Sequence, residues 1–448
     1  MPELDDLCRA ALSSAREGEQ VEAYAEQTAS TRIEARGGGV ESLSASESRG
    51  LGVRLIVDGR LGYAWTADPD PEEAGALIER ARENSVHGTA DEANELPEPR
   101  LAEDLPHLHR PAVAEMAADD KVSLALELER AAVSSNPAVK KVEEVTYGDA
   151  TSRVAIASTR GVEASYERTD CWCVVSALAE RDGETQSGFS FRVAREPSEL
   201  AWEEAAREAA ERGARLLGGT KPPTERVPVI LDPWAAASFL GVLAAVLSAE
   251  EVQKGRSLFA GKVGDEVAAS ILTLVDDGRL EDGPSSAPVD DEGVPSGRTA
   301  LIEGGVLRAF LHNTETAIRD GAVSTGNARR GSYRTTPGVS PTNLVVTPGD
   351  ADPAALLGRA GRAVYVQEVS GVHSGANPVS GEFSVGATGL RVQDGELGEP
   401  LREMTIASTL VEVLKSVEAV GADPRFFPGG GTIVTPTLLV SEMTVAGR

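Results

Sequence analysis

The chain has 448 residues, of which 41% are hydrophobic and 25% are charged, values typical of a globular protein with room for two domains. Its formal net charge of -28 excludes the basic surface that a nucleic-acid-binding protein needs and disfavours contact with an anionic membrane, so neither partner is predicted. Three cysteines (Cys8, Cys171 and Cys173) are too few for a disulfide framework and are typical of a reducing compartment.

The amino-terminal segment predicts a cytoplasmic location. Residues 1–6 are acidic and lack both the basic region and the apolar region of a secretory signal. The sequence contains no uncharged apolar run of about 18 residues, so no membrane-spanning helix is expected. The spacing of the first apolar residues predicts an amphipathic helix, whose apolar face is formed by Leu4, Leu7, Cys8, Ala11 and Leu12.

A hairpin and a second helix are predicted next. The pair Asp58-Gly59 is a strong hairpin signal, because both turn positions favour positive φ, and it predicts strands at 53–57 and 61–65. Pro71 is expected to begin a helix that extends to residue 84.

A connector, two helices and a group of strands complete the first half. Prolines and weak periodicity mark the connector near residues 95–113, and the helix at 114–135 ends before an Asn-Pro pair. Ser198 is expected to cap a charged helix that reaches residue 217. Between these helices the sequence predicts four short strands, at 139–147, 153–158, 162–168 and 171–178.

The glycines and prolines at residues 218–223 predict a domain boundary, which divides the chain into domains at 1–217 and 218–448. Beyond it, a buried strand at 227–231 leads into a helix that begins at Asp232-Pro233 and ends near residue 249. This helix is apolar on nearly all sides and is expected to be buried.

Most of the second domain is predicted to be β-sheet. Glycine turns at 304–305 and 394–395 join strands, one amphipathic helix is expected at 409–420, and the last strand is expected at 432–440. The predicted fold class is therefore α+β: an amino-terminal antiparallel sheet with helices, followed by a mostly antiparallel β domain that curls toward a barrel and carries a few helices.

Generic catalytic signatures are missing from the sequence. The segment 255–262 looks like a phosphate loop, but it is one residue too long and Val263 replaces the required Ser or Thr. The five histidines include no HExxH or HExxxH pair, and His107 and His109 lie together without an evident third ligand. We therefore predict neither a catalytic residue nor a metal site in this chain.

The loop at residues 370–378 is the first candidate binding segment. Its small residues allow the backbone to approach a ligand closely, and it carries His373, Ser374 and Asn377. Two interpretations remain open: the loop lines a peptide groove or a subunit contact, or it is structural and its histidine is hydrogen-bonded.

The segment 324–334 is the second candidate. Its three arginines around a Gly-Asn turn suit a carboxylate clamp, or they pair internally in a chain this acidic. Because adjacent residues of a strand face opposite sides, at most one of Arg329 and Arg330 is expected to contact a ligand. The residues proposed to line a cavity here are Asn327, Arg329, Arg330 and Tyr333.

Five segments in order along the chain together resemble the TldD/PmbA family, which contains zinc peptidases. They are residues 52–63, 289–295, 325–333, 377–384 and 442–447. In that family the TldD-like subunit carries HExxxH on a helix that precedes a Ser-x-Phe-x-Gly-x-Val-Gly stretch, here 257–264. The matching helix reads Phe-Leu-Gly-Val-Leu-Ala-Ala at 239–245, and the segment 425–431 lacks the cysteine that TldD-like chains use as a third ligand.

The resemblance thus implies a TldE/PmbA-like subunit without the HExxxH motif and without a cofactor of its own. It implies a heterodimer in which a TldD-like metallopeptidase subunit holds zinc and this chain helps to enclose a peptide substrate. The alternative is a homodimeric protein that binds peptides or another small ligand without hydrolysing them.

Overall fold

The computed structural model describes residues 3–447, except for the side chain of His373. Strands account for 42% of the fold and helices for 25%, with an antiparallel amino-terminal sheet and a sheet-rich carboxy-terminal region. The predicted α+β class is confirmed. Within residues 3–447, no helix has the length and apolarity needed to cross a membrane.

Six long antiparallel strands form the amino-terminal sheet, in the order β3-β2-β1-β4-β5-β6. They are β1 (Gln20–Arg36), β2 (Gly39–Val57), β3 (Arg60–Ala67), β4 (Val139–Ser158), β5 (Glu163–Arg181) and β6 (Glu184–Ala194). The helices of this half pack mainly on one face of the sheet through two apolar clusters. They are α1 (Leu4–Leu12), α2 (Pro71–Ser85), α3 (Pro111–Glu115), α4 (Ala118–Ser135) and α5 (Trp202–Ala214).

Local signals predicted several of these elements correctly. The turn between β2 and β3 places Asp58 at φ 50° and Gly59 at φ 68°, the positive values that a two-residue hairpin requires. Helix α2 begins at Pro71, and the side chain of Asp70 accepts a hydrogen bond from the Glu73 N–H at 2.8 Å. Helix α1 buries the predicted apolar face.

The four short strands predicted after the second helix were wrong, because the chain forms only β4 and β5 there. Residues 148–152 have a loop-like composition, yet they pair with β1 on one side and β5 on the other. Lys121 of α4 lies 2.7 Å from Asp149 and compensates its buried charge. The predicted cap was also wrong, because Ser198 lies in a 3₁₀ turn and donates to Glu196 at 2.6 Å, whereas α5 begins at Trp202.

The second half contains fourteen strands within the described residues. They are β7 (Glu225–Leu231), β8 (Leu274–Asp277), β9 (Arg298–Glu303), β10 (Val306–Leu307), β11 (Ala328–Arg329), β12 (Gly338–Val339), β13 (Asn343–Val346), β14 (Ala363–Ser370), β15 (Glu382–Gln393), β16 (Glu396–Thr409), β17 (Val417–Val420), β18 (Arg425–Pro428), β19 (Thr432–Thr435) and β20 (Leu438–Ala446). Its helices are α6 (Pro233–Val246), α7 (Ala249–Gln253), α8 (Thr314–Asp320), α9 (Pro353–Ala360), α10 (Val372–Gly375) and α11 (Leu410–Lys415).

A closed five-stranded barrel forms from β16-β15-β14-β7-β20, because β16 also pairs with β20. Only the β7–β14 pairing in this barrel is parallel, so the predicted mostly antiparallel, barrel-like domain is confirmed. A second sheet has the order β10-β9-β8-β13-β19-β18. One apolar core joins both sheets and α6.

Two predicted elements near the carboxy terminus have different bounds. The helix expected at 409–420 ends at Lys415, and residues 417–420 form β17 on the edge of the barrel. The strand expected at 432–440 is divided into β19 and β20, which belong to different sheets. The first error arises because the chain changes direction within an apolar segment that carries few turn residues. The second overlooked Pro436, which lies between β19 and β20 and cannot donate to a strand ladder.

Candidate functional site

An open cleft of about 840 Å³ runs along one face of α6. Its other walls come from residues 339–341, from the end of β14 with the following loop, and from residues 428–430. The α6 residues that line it are Trp234, Ala237, Ser238, Gly241, Val242, Ala244 and Ala245, and most of them recur at helical spacing on one face. The cleft therefore has an apolar floor with few bulky side chains.

The amino terminus of α6 is firmly anchored, which fixes this face of the helix. The Asp232 side chain accepts a hydrogen bond from the Trp234 N–H at 2.9 Å and one from the Tyr365 hydroxyl at 2.5 Å. Arg212 of α5 lies 2.8 Å from the same carboxylate, so an ion pair from the first half holds the helix cap of the second. Trp234 packs between Phe189 and Phe427.

Three carboxylates line the cleft, and two of them have cationic partners. Glu250 pairs with Lys254, and Glu251 accepts a hydrogen bond from Arg256 at 2.7 Å. The third, Glu368 of β14, is half-buried and has no hydrogen bond or ion pair with another described side chain. Burial raises the pKa of Glu368, while the charge of Arg212 opposes that rise.

The cleft coincides with the positions that the family resemblance associates with zinc. Gly241, Val242 and Ala245 of the matching helix line it, and so do residues 428–430 of the segment in which TldD-like chains have a cysteine. These residues offer no imidazole, thiolate or carboxylate, and no group of three or more His, Cys, Asp or Glu among the described residues could hold a metal ion. They do not fit a zinc site.

The loop at 370–378 reaches this cleft through its backbone and small side chains. Gly371, Val372, Ala376 and Pro378 line the cleft wall. Ser374 is exposed, and its hydroxyl donates to the carbonyl of Gly371 at 3.3 Å.

The two other predicted residues of this loop are Asn377 and His373. Asn377 is exposed, and its carboxamide oxygen accepts the N–H groups of Val379 at 2.9 Å and Ser380 at 3.2 Å, so it closes a local turn. The backbone of His373 lies in α10, and its side chain is outside the described part of the structure. A ligand-binding role for Ser374, Asn377 and His373 stays a prediction.

The segment 324–334 lies between the two halves of the chain. The buried ring of Tyr333 covers Gly50, where an added Cβ would lie 2.2 Å from the ring, and its carbonyl accepts the Tyr63 hydroxyl at 2.7 Å. Asn327 is also buried and donates to Asp276 at 2.6 Å. Both side chains have structural partners.

Arg330 is the arginine of this segment that pairs with an acidic neighbour. Its side chain is 0% exposed, forms an ion pair with Glu22, and lies 4.9 Å from the ring centre of Tyr24. Its backbone N–H donates to Asp291 at 2.6 Å. Arg329 is half-buried in β11, which pairs with β12. A substrate contact by either arginine stays a prediction, and for Arg330 complete burial disfavours it.

Sequence reasoning did not find the buried ionic network beside Arg330. Arg54 of β2 lies 2.6 Å from Glu22 and 2.8 Å from Glu292, and each of these side chains is at most 6% exposed. The available signal was an arginine within the otherwise apolar strand 51–57. The two predicted segments therefore do not share one site, because 370–378 lines the cleft while 324–334 joins the halves.

Comparisons with known proteins agree with this architecture. Models of the PmbA/TldA metallopeptidase match in three parts: domain 1 at residues 21–85, the central domain at 111–217 and the C-terminal domain at 224–447. A metalloprotease of Methanothermobacter thermautotrophicus is 27% identical, covering 87% of this chain and 85% of the relative. Metalloprotease PmbA of Escherichia coli O157:H7 is 24% identical, covering 94% of this chain and 91% of the relative.

Two solved structures share the fold over nearly their whole length. A Thermotoga maritima protein described as a modulator of a DNA gyrase is 28% identical with a TM-score of 0.90, and the match covers 98% of each chain. TldE from Thermococcus kodakarensis is 23% identical with a TM-score of 0.90, and the match covers 99% of each chain. The chain belongs to the PmbA/TldD metallopeptidase family.

Proposed function

We propose that this chain is the non-catalytic, TldE/PmbA-like subunit of a heterodimeric TldD/TldE-type zinc metallopeptidase. A TldD-like partner supplies zinc and the catalytic groups, and this chain helps to enclose the peptide. The observation that carries the proposal is the α6 cleft, in which glycine, valine and alanine occupy the helix positions that hold zinc ligands in TldD-like chains. Water activation by zinc has no ligand set here.

The cleft has the properties of a ligand site. Its volume of about 840 Å³ lies within the range of small-molecule and peptide pockets, and its lining is mainly apolar. Glycines at 241, 371, 429 and 430 leave space for a backbone to approach closely. The firm anchoring of α6 keeps this surface in place before a ligand binds.

Reconstitution with a TldD-like partner tests the proposal. We expect the purified chain to hold no stoichiometric zinc and to cleave no peptide, and we expect the assembled complex to cleave. Metal analysis that finds about one tightly bound zinc per isolated chain would contradict the proposal. Stable homodimers that ignore such a partner would favour the alternative of a peptide or small-ligand binding protein.

A cleft-filling variant sharpens the same experiment. Gly241→Leu places a branched side chain on the cleft face of α6, so the complex should assemble normally but cleave peptides at least about tenfold more slowly. Gly358→Leu is the matched control, because Gly358 also lies within a helix and an added Cβ would meet nothing within 4 Å. Equal loss of cleavage in both variants would remove the cleft from the proposal.

A further inference from the structure

One carboxylate in the lining of the α6 cleft, Glu368, lacks a cationic partner among the described side chains. No Lys or Arg is among the described residues that line the cleft, and Glu250 and Glu251 are compensated from outside by Lys254 and Arg256. Glu368 is the remaining carboxylate of the cleft lining, and no described side chain forms an ion pair with it. A half-buried carboxylate without a cation is costly to keep ionised.

Arg212 is the cation whose charge acts on Glu368, and it already has other partners. Arg212 lies 2.8 Å from Asp232 and donates to the Gln367 carbonyl at 2.8 Å, with Glu208 a further 3.7 Å neighbour. Asp232 in turn holds the amino terminus of α6. Arg212 is engaged by these partners and forms no ion pair with Glu368, so among the described residues this carboxylate is left open to a cation that enters the cleft.

The other walls of the cleft are apolar, and they indicate which chemical groups should accompany the cation. Close to Glu368 along the chain, Val369 and Val372 line the wall, and Trp234, Val242 and Ile433 complete an apolar surface. Burial of aliphatic side chains on this surface is favourable, at about 25 cal/mol for each Å² removed from water. The surface suits an apolar segment that carries one positive charge.

We propose that the α6 cleft binds a primary ammonium group carried by an apolar peptide, and that Glu368 is the group that recognises it. This inference rests on the proposed function, because it names the substrate chemistry of the same cleft. An N–H of the ammonium donates to the Glu368 carboxylate, and the adjoining side chains pack on the apolar wall. The ammonium is either the peptide amino terminus or a lysine side chain.

Three short apolar peptides of equal length test the assignment on the full chain. The first has a free amino terminus and no lysine, the second is its N-acetylated form, and the third is N-acetylated with one lysine. We expect the N-acetylated, lysine-free peptide to bind about tenfold more weakly than at least one of the other two in titration calorimetry. Whichever amine-bearing peptide binds more tightly identifies the source of the ammonium.

Two isosteric variants test whether the preference for amine-bearing peptides depends on Glu368. Glu368→Gln should remove the tenfold preference and leave the affinity for the acetylated, lysine-free peptide unchanged. Glu251→Gln, which removes a carboxylate of the same cleft that Arg256 already pairs, should keep the preference. The comparison among peptides on the unmodified chain does not depend on the folding of either variant.

The preference should also weaken as the pH falls. Burial raises the pKa of Glu368 and Asp232 acts in the same direction, while Arg212 opposes both, so acid protonates this carboxylate earlier than an exposed one. The series is measured in a His373→Ala background, so that the loop at 370–378 carries no histidine. A preference that stays constant from pH 7 to pH 4 would contradict the role of Glu368.

The possible results distinguish failure of the ammonium assignment from failure of the proposed subunit function. Equal affinities for all three peptides, blocked by Gly241→Leu, would overturn the ammonium assignment and leave a peptide cleft in place. Failure of all three peptides to bind at millimolar concentration would overturn the ammonium assignment, whereas the proposed function is decided by the zinc content of the isolated chain and by cleavage in the reconstituted complex.

Discussion

At the residue scale, four buried charges join the two halves of the molecule. Arg54 contacts Glu22 and Glu292 at 2.6 and 2.8 Å, and Arg330 pairs with Glu22 from the other side. Burial alone would raise the pKa of Glu292, but Arg54 and the Thr314 N–H outweigh it and hold that pKa below its ordinary value. Two positive and two negative charges thus compensate one another out of contact with water.

Loss of one member of this network should be strongly destabilising. Arg54→Met removes the shared cation and leaves two buried carboxylates, so the free energy of unfolding should fall by about 3–5 kcal/mol in urea titrations. Arg32→Met is the matched control in the same sheet, because Arg32 is 51% exposed and pairs with the partly exposed Glu34. That change should cost less than about 1 kcal/mol. A loss below 1 kcal/mol for Arg54→Met would show that the network contributes little.

At the element scale, local chemistry explains which predictions held. The hairpin at Asp58-Gly59 and the helix that begins at Pro71 depend on turn and cap residues that are adjacent in sequence, so the sequence contains their cause. Strands β4 and β5 run through residues with low strand propensity because partners on both sides satisfy their backbone. Those partners lie far away in the chain, and sequence patterns do not identify them.

The contact between β2 and the segment 324–334 offers a test at this scale. An added Cβ at Gly50 would lie 2.2 Å from Tyr333 Cε2, so Gly50→Ala should displace this ring and lower the free energy of unfolding by about 1–3 kcal/mol. Gly39→Ala, in the same strand, would meet nothing within 4 Å and should be nearly neutral. Urea titration of both variants measures the difference, and equal stabilities would mean that Tyr333 does not dock on this strand.

At the scale of the whole molecule, the candidate site is assembled from distant segments. Helix α6, the end of β14 and residues 428–430 meet only because the barrel closes and β19 packs beside α6. The small residues of the loop at 370–378 indicated that segment from sequence alone. The family resemblance indicated the positions at which TldD-like chains have zinc ligands and this chain has none. Glu368 lies in an ordinary strand pattern, so its isolation in the cleft follows only from the three-dimensional arrangement. The domain division at residue 218 stays a proposal.

A second cluster ties the halves together across this division. Glu208 of α5 lies 2.6 Å from Arg425 of β18 and 2.8 Å from Arg192 of β6, with Arg212 at 3.7 Å. Burial acts to raise the pKa of Glu208, but the three arginines dominate and lower it from its ordinary 4.5 to about 2. At about 1.4 kcal/mol for each pKa unit, ionised Glu208 contributes about 3 kcal/mol to the stability of the folded chain.

The sign of this shift fixes how the contribution depends on pH. Because the pKa of Glu208 is lower in the folded chain, its stabilisation is complete above about pH 4.5 and is lost as the pH falls toward 2. Glu208→Gln should therefore lower the free energy of unfolding by about 3 kcal/mol at pH 7 and by less than half of that at pH 3. Glu211→Gln, on the exposed side of the same helix with Arg207 at 3.8 Å, should change stability little at either pH. Urea titrations at both pH values make the comparison, and a Glu208→Gln deficit that is the same at pH 3 and pH 7 would show that the carboxylate charge does not hold the two halves together.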